Sequence, residues 1–325
     1  MNLMLLAAGE GTRLRPYTEI CPKPAMPFLN IPLAAHVLGF VSPLPVTRFV
    51  VNTFHLPQKI HELFESLPTP VAPTFSDEKV LMGSGGGLKN AQKYFDSSEP
   101  IVLMNADEVI LPQDQEIISK ALEHHKNTNA LSTLIVMKHS EAGKKFGGVW
   151  TKGHRVLGFG KNEVEGSDSV WHFIGVQILS PRIFKYLPEG ESNILYDAVV
   201  AGLSEGETAE VYPIDCDWFE TGNPQDYMEA QKACLNFLAA DEMTYQKKSL
   251  QRSLDLFSIE PQTVSKTSGL LLMKSESAVI EGQLSGFGVV GAQSIVPKDF
   301  SGKNIVVAAK TKIAEENSAT DKVYL

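Results

Sequence analysis

Apolar positions along the first 240 residues follow two periods. Met4 to Ala8 is a short apolar run that ends at a glycine, and the run from Leu3 to Ala8 reads as a buried strand. Ile31 to Phe40 predicts a helix, and Arg48 to Phe54, rich in β-branched and aromatic residues, predicts a strand. In Pro57 to Leu67 the residues Ile60, Leu63, Phe64 and Leu67 recur at helical spacing behind a proline suited to a first turn. Pro100 to Asn105, Ala130 to Met137 and Trp171 to Leu179 predict further strands, and Pro224 to Leu238 a helix. Strands alternating with helices imply an α/β fold, a Rossmann-like, mostly parallel sheet flanked by helices, whose ligands sit beyond the carboxyl ends of the strands. From about residue 240 the pattern changes. Asp241 to Leu256 is polar with scattered apolar positions. Then come short apolar pieces at Leu270–Met273, Ala278–Ile280, Gly288–Val290 and Ile305–Ala308, with no clean repeat. The expected division is a 1–240 domain and a small β-rich appendage over 241–325.

Composition adds exclusions. Hydrophobic residues are 43% and charged ones 21%, enough for a real core. A net charge of −9 argues against a nucleic-acid partner, because phosphate backbones attract a basic face. No apolar run approaches the roughly 20 residues of a membrane span. Cys21, Cys216 and Cys234 are far apart and suit a reducing compartment, so the expected location is cytoplasmic.

Chemistry enters at Ala7-Ala8-Gly9-Glu10-Gly11-Thr12-Arg13, directly after the first strand. Glycines there let backbone N–H groups approach a phosphate, and an arginine adds planar, charge-assisted bonds. A dinucleotide fingerprint is excluded by Leu14, where a third glycine is needed, and a P-loop by the absence of Gly-Lys-Ser/Thr. An oxidoreductase reading fails on that same missing glycine.

Gly9 to Thr18 followed by Pro22-Lys23-Pro24 resembles the signature of the sugar-1-phosphate nucleotidyltransferases, in particular the short bacterial enzymes for N-acetylmuramate 1-phosphate and mannose 1-phosphate. The resemblance runs from residue 1 to about 238. It implies a glycosyltransferase-A-like fold and the transfer of a nucleotidyl group from a nucleoside triphosphate (NTP) to a sugar 1-phosphate, in the supply of cell-envelope polysaccharide. Arg13 then grips the phosphates and the pyrophosphate leaving group, and Lys23 touches the α-phosphate or the sugar phosphate. Arg15 is either a second phosphate contact or a surface charge. Ala8, Gly9, Gly11, Thr12 and Asn105 fall in the expected nucleotide site. Leu81 to Leu88, with Gly83 and Gly85-Gly86-Gly87, matches the base-binding segment, precedes an expected helix and assigns Gly85 and Gly86 to the base or ribose. His55 lies where relatives place a polar residue near the base.

The resemblance also implies magnesium. The family has a Gly-Asp pair after a buried strand; this chain has Ala106-Asp107. The family's Trp-x-Asp-x-Gly is here Trp218-Phe219-Glu220-Thr221-Gly222, one methylene longer at the acid, with Asp217 a further carboxylate nearby. The expected Mg²⁺ ligands are Asp107 and Glu220. No protein nucleophile or base is required, since the attacking phosphate is already an anion. On the sugar side Gly175 and Lys161 are the expected contacts. A non-catalytic nucleotide-sugar-binding regulator is the competing reading; Ala106 and Glu220 sustain it, and intact Arg13 and Lys23 oppose it. The appendage resembles a fragment of a left-handed β-helix, a candidate surface for self-association.

Overall fold

A computed structural model describes residues 1–313 and 317–325. Contacts divide the chain into two compact units, both discontinuous. The first is Met1–Gly9, Phe40–Ala106 and Pro112–Asp217; the second is Glu10–Gly39, Asp107–Leu111 and Trp218–Leu325. Residues 10–39, 107–111 and 218–240 thus group with the C-terminal strands.

The first unit is built on a nine-stranded sheet. Its spatial order is Pro73–Asp77, Arg48–Thr53, Asn2–Leu6, Ile101–Asn105, Ser169–Leu179, Ser132–Met137, Ala209–Pro213, Arg155–Gly160 and Gly148–Lys152. Asn2–Leu6 is central and parallel to both neighbours, with Leu6 opposite Asn52 and Asn105. Leu3, Met4 and Leu5 are fully buried, which explains their unbroken apolar run. The sheet is mixed, a correction to the mostly parallel expectation. Ser169–Leu179 runs antiparallel to three strands, and Gly148–Lys152 turns directly into Arg155–Gly160. Helical crossovers suit parallel strands, and the helices Pro57–Ser66 and Gly83–Ala91 lie between early strands. Beyond residue 148 the links shorten: Gly153, with φ of 58°, sits in a two-residue turn that only an antiparallel pair accepts. The core joins Met4, Val50, Leu88, Ile101, Leu103, Leu134, Val136 and Val211.

In the second unit, Pro224–Ala239 is a helix started by Asn223, whose side chain accepts from the Asp226 N–H at 3.0 Å. A second helix, Tyr245–Phe257, begins at Thr244 and lies in the stretch where the sequence showed only scattered apolar positions. It buries Leu250, Leu254 and Phe257 together with Ser249 and Ser253. Gly39 allows close packing here, since a Cβ on it would lie 2.3 Å from the Ser253 hydroxyl. Five strands follow, Gln262–Thr267, Leu270–Ser275, Gln283–Val290, Ser301–Val307 and Ser318–Tyr324. The first pair is antiparallel and the rest are parallel. Leu272, Gly288, Ile305 and Lys322 share one register line, so the chain returns to it every 16 or 17 residues. Corners at Gly286, Asn304 and Asp321 all have positive φ, which glycine, asparagine and aspartate tolerate best. Ala278, Val290, Val296, Phe300, Ile305, Val307 and Ile313 fill the interior of these coils.

Candidate active site

Within the second unit, the phosphate-loop cations and the two expected metal carboxylates are neighbours. Gly11 (φ 60°) begins a short turn in which the Leu14 N–H donates to its carbonyl at 2.9 Å and the Thr18 hydroxyl donates to the same oxygen at 2.9 Å. A Cβ there would lie 2.8 Å from the Thr18 methyl, so both dihedral and space demand glycine. The turn leaves the Arg13 side chain 70% exposed, its guanidinium 3.8 Å from the Glu220 carboxylate. Lys23, by contrast, is largely enclosed between Pro22 and Pro24, both buried, and its ammonium is 2.7 Å from the Asp107 carboxylate. Solvent weakens the first pair and shields the second less.

The segments that carry these carboxylates are tied to each other. The Thr221 hydroxyl donates to the Asp107 carbonyl at 3.2 Å, and the Trp218 indole N–H donates to Glu108 at 2.8 Å. Gly222 is explained by the same packing: a Cβ on it would lie 2.2 Å from a Glu220 carboxylate oxygen and 2.6 Å from the Arg13 guanidinium. Ala106 does not have positive φ and is fully buried, so alanine in place of glycine costs no backbone strain. The Asp107 and Glu220 carboxylates are hard oxygen donors, the type that could hold a divalent cation. Among the described residues no group of three or more His, Cys, Asp or Glu side chains is placed to hold a metal.

Within the first unit, Ala8 is buried at the end of the strand that starts the loop, and Gly9 is exposed with open space where a Cβ would be. Asn105 ends its strand half-buried, opposite Leu6. Asn52 and Glu78, which the sequence did not single out, brace this region. Asn52 accepts from the Ala7 N–H at 2.9 Å and donates to Glu78 at 2.7 Å; Glu78 accepts the Met82 N–H at 3.0 Å. Burial pushes the Glu78 carboxyl above its usual range, opposed by the bonds from Asn52 and Met82. A signal was available: Asn52 is a polar residue that directly follows the apolar run Phe49-Val50-Val51 within a strand.

The second glycine segment differs from its expected place. The glycines do not precede a helix but form the first half of one, Gly83–Ala91. Gly85 donates its N–H to the Ser192 carbonyl at 2.8 Å, and a Cβ on Gly86 would lie 2.2 Å from the Gly190 carbonyl. Gly87 faces the Asn52–Glu78 bond, with a Cβ 2.6 Å from the Asn52 amide. On the sugar side, Gly175 has φ of 77° and is buried where the register against Ser132–Met137 shifts between Phe173 and Gln177. That bulge by itself requires a glycine. Lys161 is exposed, after Gly160, and His55 is half-buried. Thr12 and Arg15 are exposed.

The chain belongs to the nucleotidyl transferase family, whose profile matches residues 2–236. It is 27% identical over 250 residues to a UTP–glucose-1-phosphate uridylyltransferase of Synechocystis sp., covering 73% of this chain and 64% of that protein. It therefore spans just under two thirds of that relative's length. A D-glycero-α-D-manno-heptose 1-phosphate guanylyltransferase of Aneurinibacillus thermoaerophilus is 25% identical over 243 residues, covering 73% of this chain and all of the relative. Among solved structures, a UDP-glucose pyrophosphorylase complexed with UDP-glucose superposes with a TM-score of 0.61 at 19% identity, over 71% of this chain and 97% of the other. That likeness establishes an α/β fold with a mixed sheet and flanking helices.

Proposed function

We propose that this chain transfers a nucleotidyl group from an NTP to a sugar 1-phosphate, releasing pyrophosphate. The observation that carries the reading is the pairing of both loop cations with the two carboxylates, Lys23 with Asp107 and Arg13 with Glu220. Such pairs can exchange partners. When a polyphosphate enters, the cations turn to its oxygens and the carboxylates are freed for a divalent cation. Mg²⁺ fits this donor set: bound at Asp107 and Glu220, it would neutralise charge on the reacting phosphates.

In the reaction an oxygen of the sugar phosphate forms a bond to the α-phosphorus. The bond from that phosphorus to the bridging oxygen breaks, and pyrophosphate leaves with the electron pair. Lys23 aligns the α-phosphate or the sugar phosphate, and Arg13 stabilises charge on the leaving pyrophosphate. Ala8, Gly9, Gly11 and Thr12 offer backbone to the phosphates. Gly85, Gly86 and Asn105 serve the nucleoside, and Gly175 and Lys161 the sugar phosphate. Residues 1–240 are the catalytic module and 241–325 the appendage, in which the helix Tyr245–Phe257 precedes a coil of the left-handed β-helix type that starts at Gln262; the coil carries self-association. The three cysteines, held as thiols, suit a cytoplasmic setting, and no helix among the described residues is long and apolar enough to cross a membrane.

The test is pyrophosphate release in a matrix of NTPs against glucose, mannose, heptose and N-acetylmuramate 1-phosphates, with Mg²⁺. Release with one pair, falling at least 100-fold in Asp107→Ala and in Lys23→Ala, is the expected result. Glu220, one methylene longer than the family's aspartate, favours one other reading, a nucleotide-sugar-binding regulator. No release from any pair, with a nucleotide still raising the melting temperature, would select it.

A further inference from the structure

Soon after Lys23 the chain makes a tight hairpin, Pro27–Phe28 paired with Ile31–Pro32. Its two turn residues, Leu29 (φ 51°) and Asn30 (φ 65°), are both left-handed. Asparagine accepts that conformation readily; leucine does not. A leucine held there means its surroundings over-determine the turn. Leu29 is fully buried, and its N–H donates to the Gln231 side chain at 3.0 Å. The Pro27 carbonyl accepts from the Gln231 amide at 2.8 Å and from the Tyr227 hydroxyl. Helix Pro224–Ala239 therefore fixes one side of the hairpin.

The tip is fixed by the coil. The Asn30 side-chain amide donates to Gln262 at 2.8 Å and to the Val290 carbonyl at 3.1 Å, which uses its two hydrogens, with the Ser275 hydroxyl also near at 3.4 Å. Gln262 in turn accepts from Ser275 at 2.9 Å. A second strut joins the loop's other end to the last strand, where the Val323 N–H donates to the Tyr17 hydroxyl at 3.4 Å. In the chain, Arg13 and Lys23 stand on either side of Tyr17. Between Lys23 and Asn30 little can flex. Pro24 and Pro27 have fixed φ, the Ala25 and Met26 N–H groups close on the Pro22 and Lys23 carbonyls at 2.8 and 3.0 Å, and Leu33 closes on Met26 at 3.0 Å. A displacement of the tip is carried to Lys23 rather than absorbed.

We propose that Asn30 is a positioning residue for Lys23, through which the C-terminal coil holds the phosphate-binding lysine in register. Resting on the transferase reading above, this makes residues 262–324 part of the catalytic apparatus without their touching substrate. The Asn30 amide ties the hairpin tip to the coil, so its loss loosens the tip while the turn persists.

The experiment uses the full chain. Asn30→Gly keeps the left-handed turn and deletes the amide, Gln262→Leu deletes the acceptor, and Gln262→Glu keeps an oxygen in its place. Asn30→Gly and Gln262→Leu are expected to lower kcat about tenfold with KM for the NTP within about twofold, and Gln262→Glu to retain most of it. In a Lys23→Ala background, Asn30→Gly is expected to cost nothing more, because an effect exerted through Lys23 vanishes with it. Hydrogen exchange at the Ala25 and Met26 amides is expected to quicken about tenfold in Asn30→Gly, a readout independent of activity. Wild-type protein with no pyrophosphate release from any substrate pair would defeat the transferase reading, and the exchange measurement would then decide the positioning alone. Unchanged exchange in both Asn30→Gly and Gln262→Leu overturns the inference, as does a loss in Asn30→Gly that simply adds to that of Lys23→Ala. If Asn30→Gly does not fold, Gln262→Leu decides the matter in the same assays.

Discussion

The two glycine-rich segments look alike in sequence and are opposites in structure. Gly9 has open space where a Cβ would be, and Gly11 bends a loop that leaves Arg13 exposed. Gly85, Gly86 and Gly87 are closed: they sit inside a helix, pressed against Gly190, Ser192 and the Asn52–Glu78 bond. The first segment uses glycine to leave the Gly9 position uncovered and to turn the chain at Gly11. The second uses it to let one backbone lie on another, so composition alone cannot assign a glycine to ligand contact.

The largest effect that would break this contrast lies at Gly86. A Cβ there meets a carbonyl oxygen at 2.2 Å, which backbone movement alone can relieve. Gly86→Ala is expected to destabilise the protein by about 3 kcal/mol or more, measured by urea unfolding. A change under about 1 kcal/mol would mean the segment is loose and that backbone packing does not by itself require its glycines.

Closed positions also predict acid sensitivity. Burial lowers His36, whose ring meets the Phe28 carbonyl at 3.1 Å, to about 4, and lowers His125, bonded to the Thr133 hydroxyl at 2.8 Å, to about 4 as well. Both stay neutral in the fold while the unfolded chain takes up protons below about pH 6.5. The contribution of these two histidines is therefore complete above that pH, falls as pH drops toward 4, and changes no further below it. At pH 5 each histidine costs about 2 kcal/mol. His36→Gln can still donate to Phe28 and does not titrate, so its melting temperature should fall less between pH 7 and 5. An identical slope would remove His36 as a cause.

How much of this was legible follows the same division between local pattern and distant contact. The strands at Arg48–Thr53, Ile101–Asn105 and Ser132–Met137 show in the sequence because burial on both faces makes each an almost unbroken apolar run, and the helix at Pro224–Ala239 because its buried positions recur at helical spacing. Tyr245–Phe257 was hidden because Ser249 and Ser253 occupy buried positions that an amphipathic stripe fills with apolar side chains. The 16- to 17-residue return of the coil was hidden because its corner is a glycine, then an asparagine, then an aspartate: one backbone requirement, three residue types. Asp107, Glu220, Arg13 and Lys23 were named by motif, yet their pairing was not, since it joins segments more than 80 residues apart. The Asn30–Gln262 bond joins positions 232 residues apart and left no local trace.

Gly9 gives the converse of Gly86. With nothing within 4 Å of a Cβ and no positive φ, Gly9→Ala should leave stability within about 0.5 kcal/mol. If the backbone there approaches a phosphate, the added methyl should still weaken Mg·NTP binding about tenfold, close to 1.4 kcal/mol, measured by calorimetry. Unchanged affinity would move the phosphate site away from Gly9.

The smallest effect is expected at Lys161. Its side chain is exposed in the bend that follows the strand Arg155–Gly160. An ammonium in that setting pays side-chain entropy to hold a phosphate and is screened by salt. Lys161→Ala should therefore leave the melting temperature and kcat unchanged and raise KM for the sugar 1-phosphate about threefold, or about 0.7 kcal/mol. The rise should shrink as ionic strength increases from 50 to 500 mM, roughly an order of magnitude in salt. A fall in kcat instead would show that Lys161 becomes ordered in the reacting complex, which would place it with Lys23 among the enclosed cations.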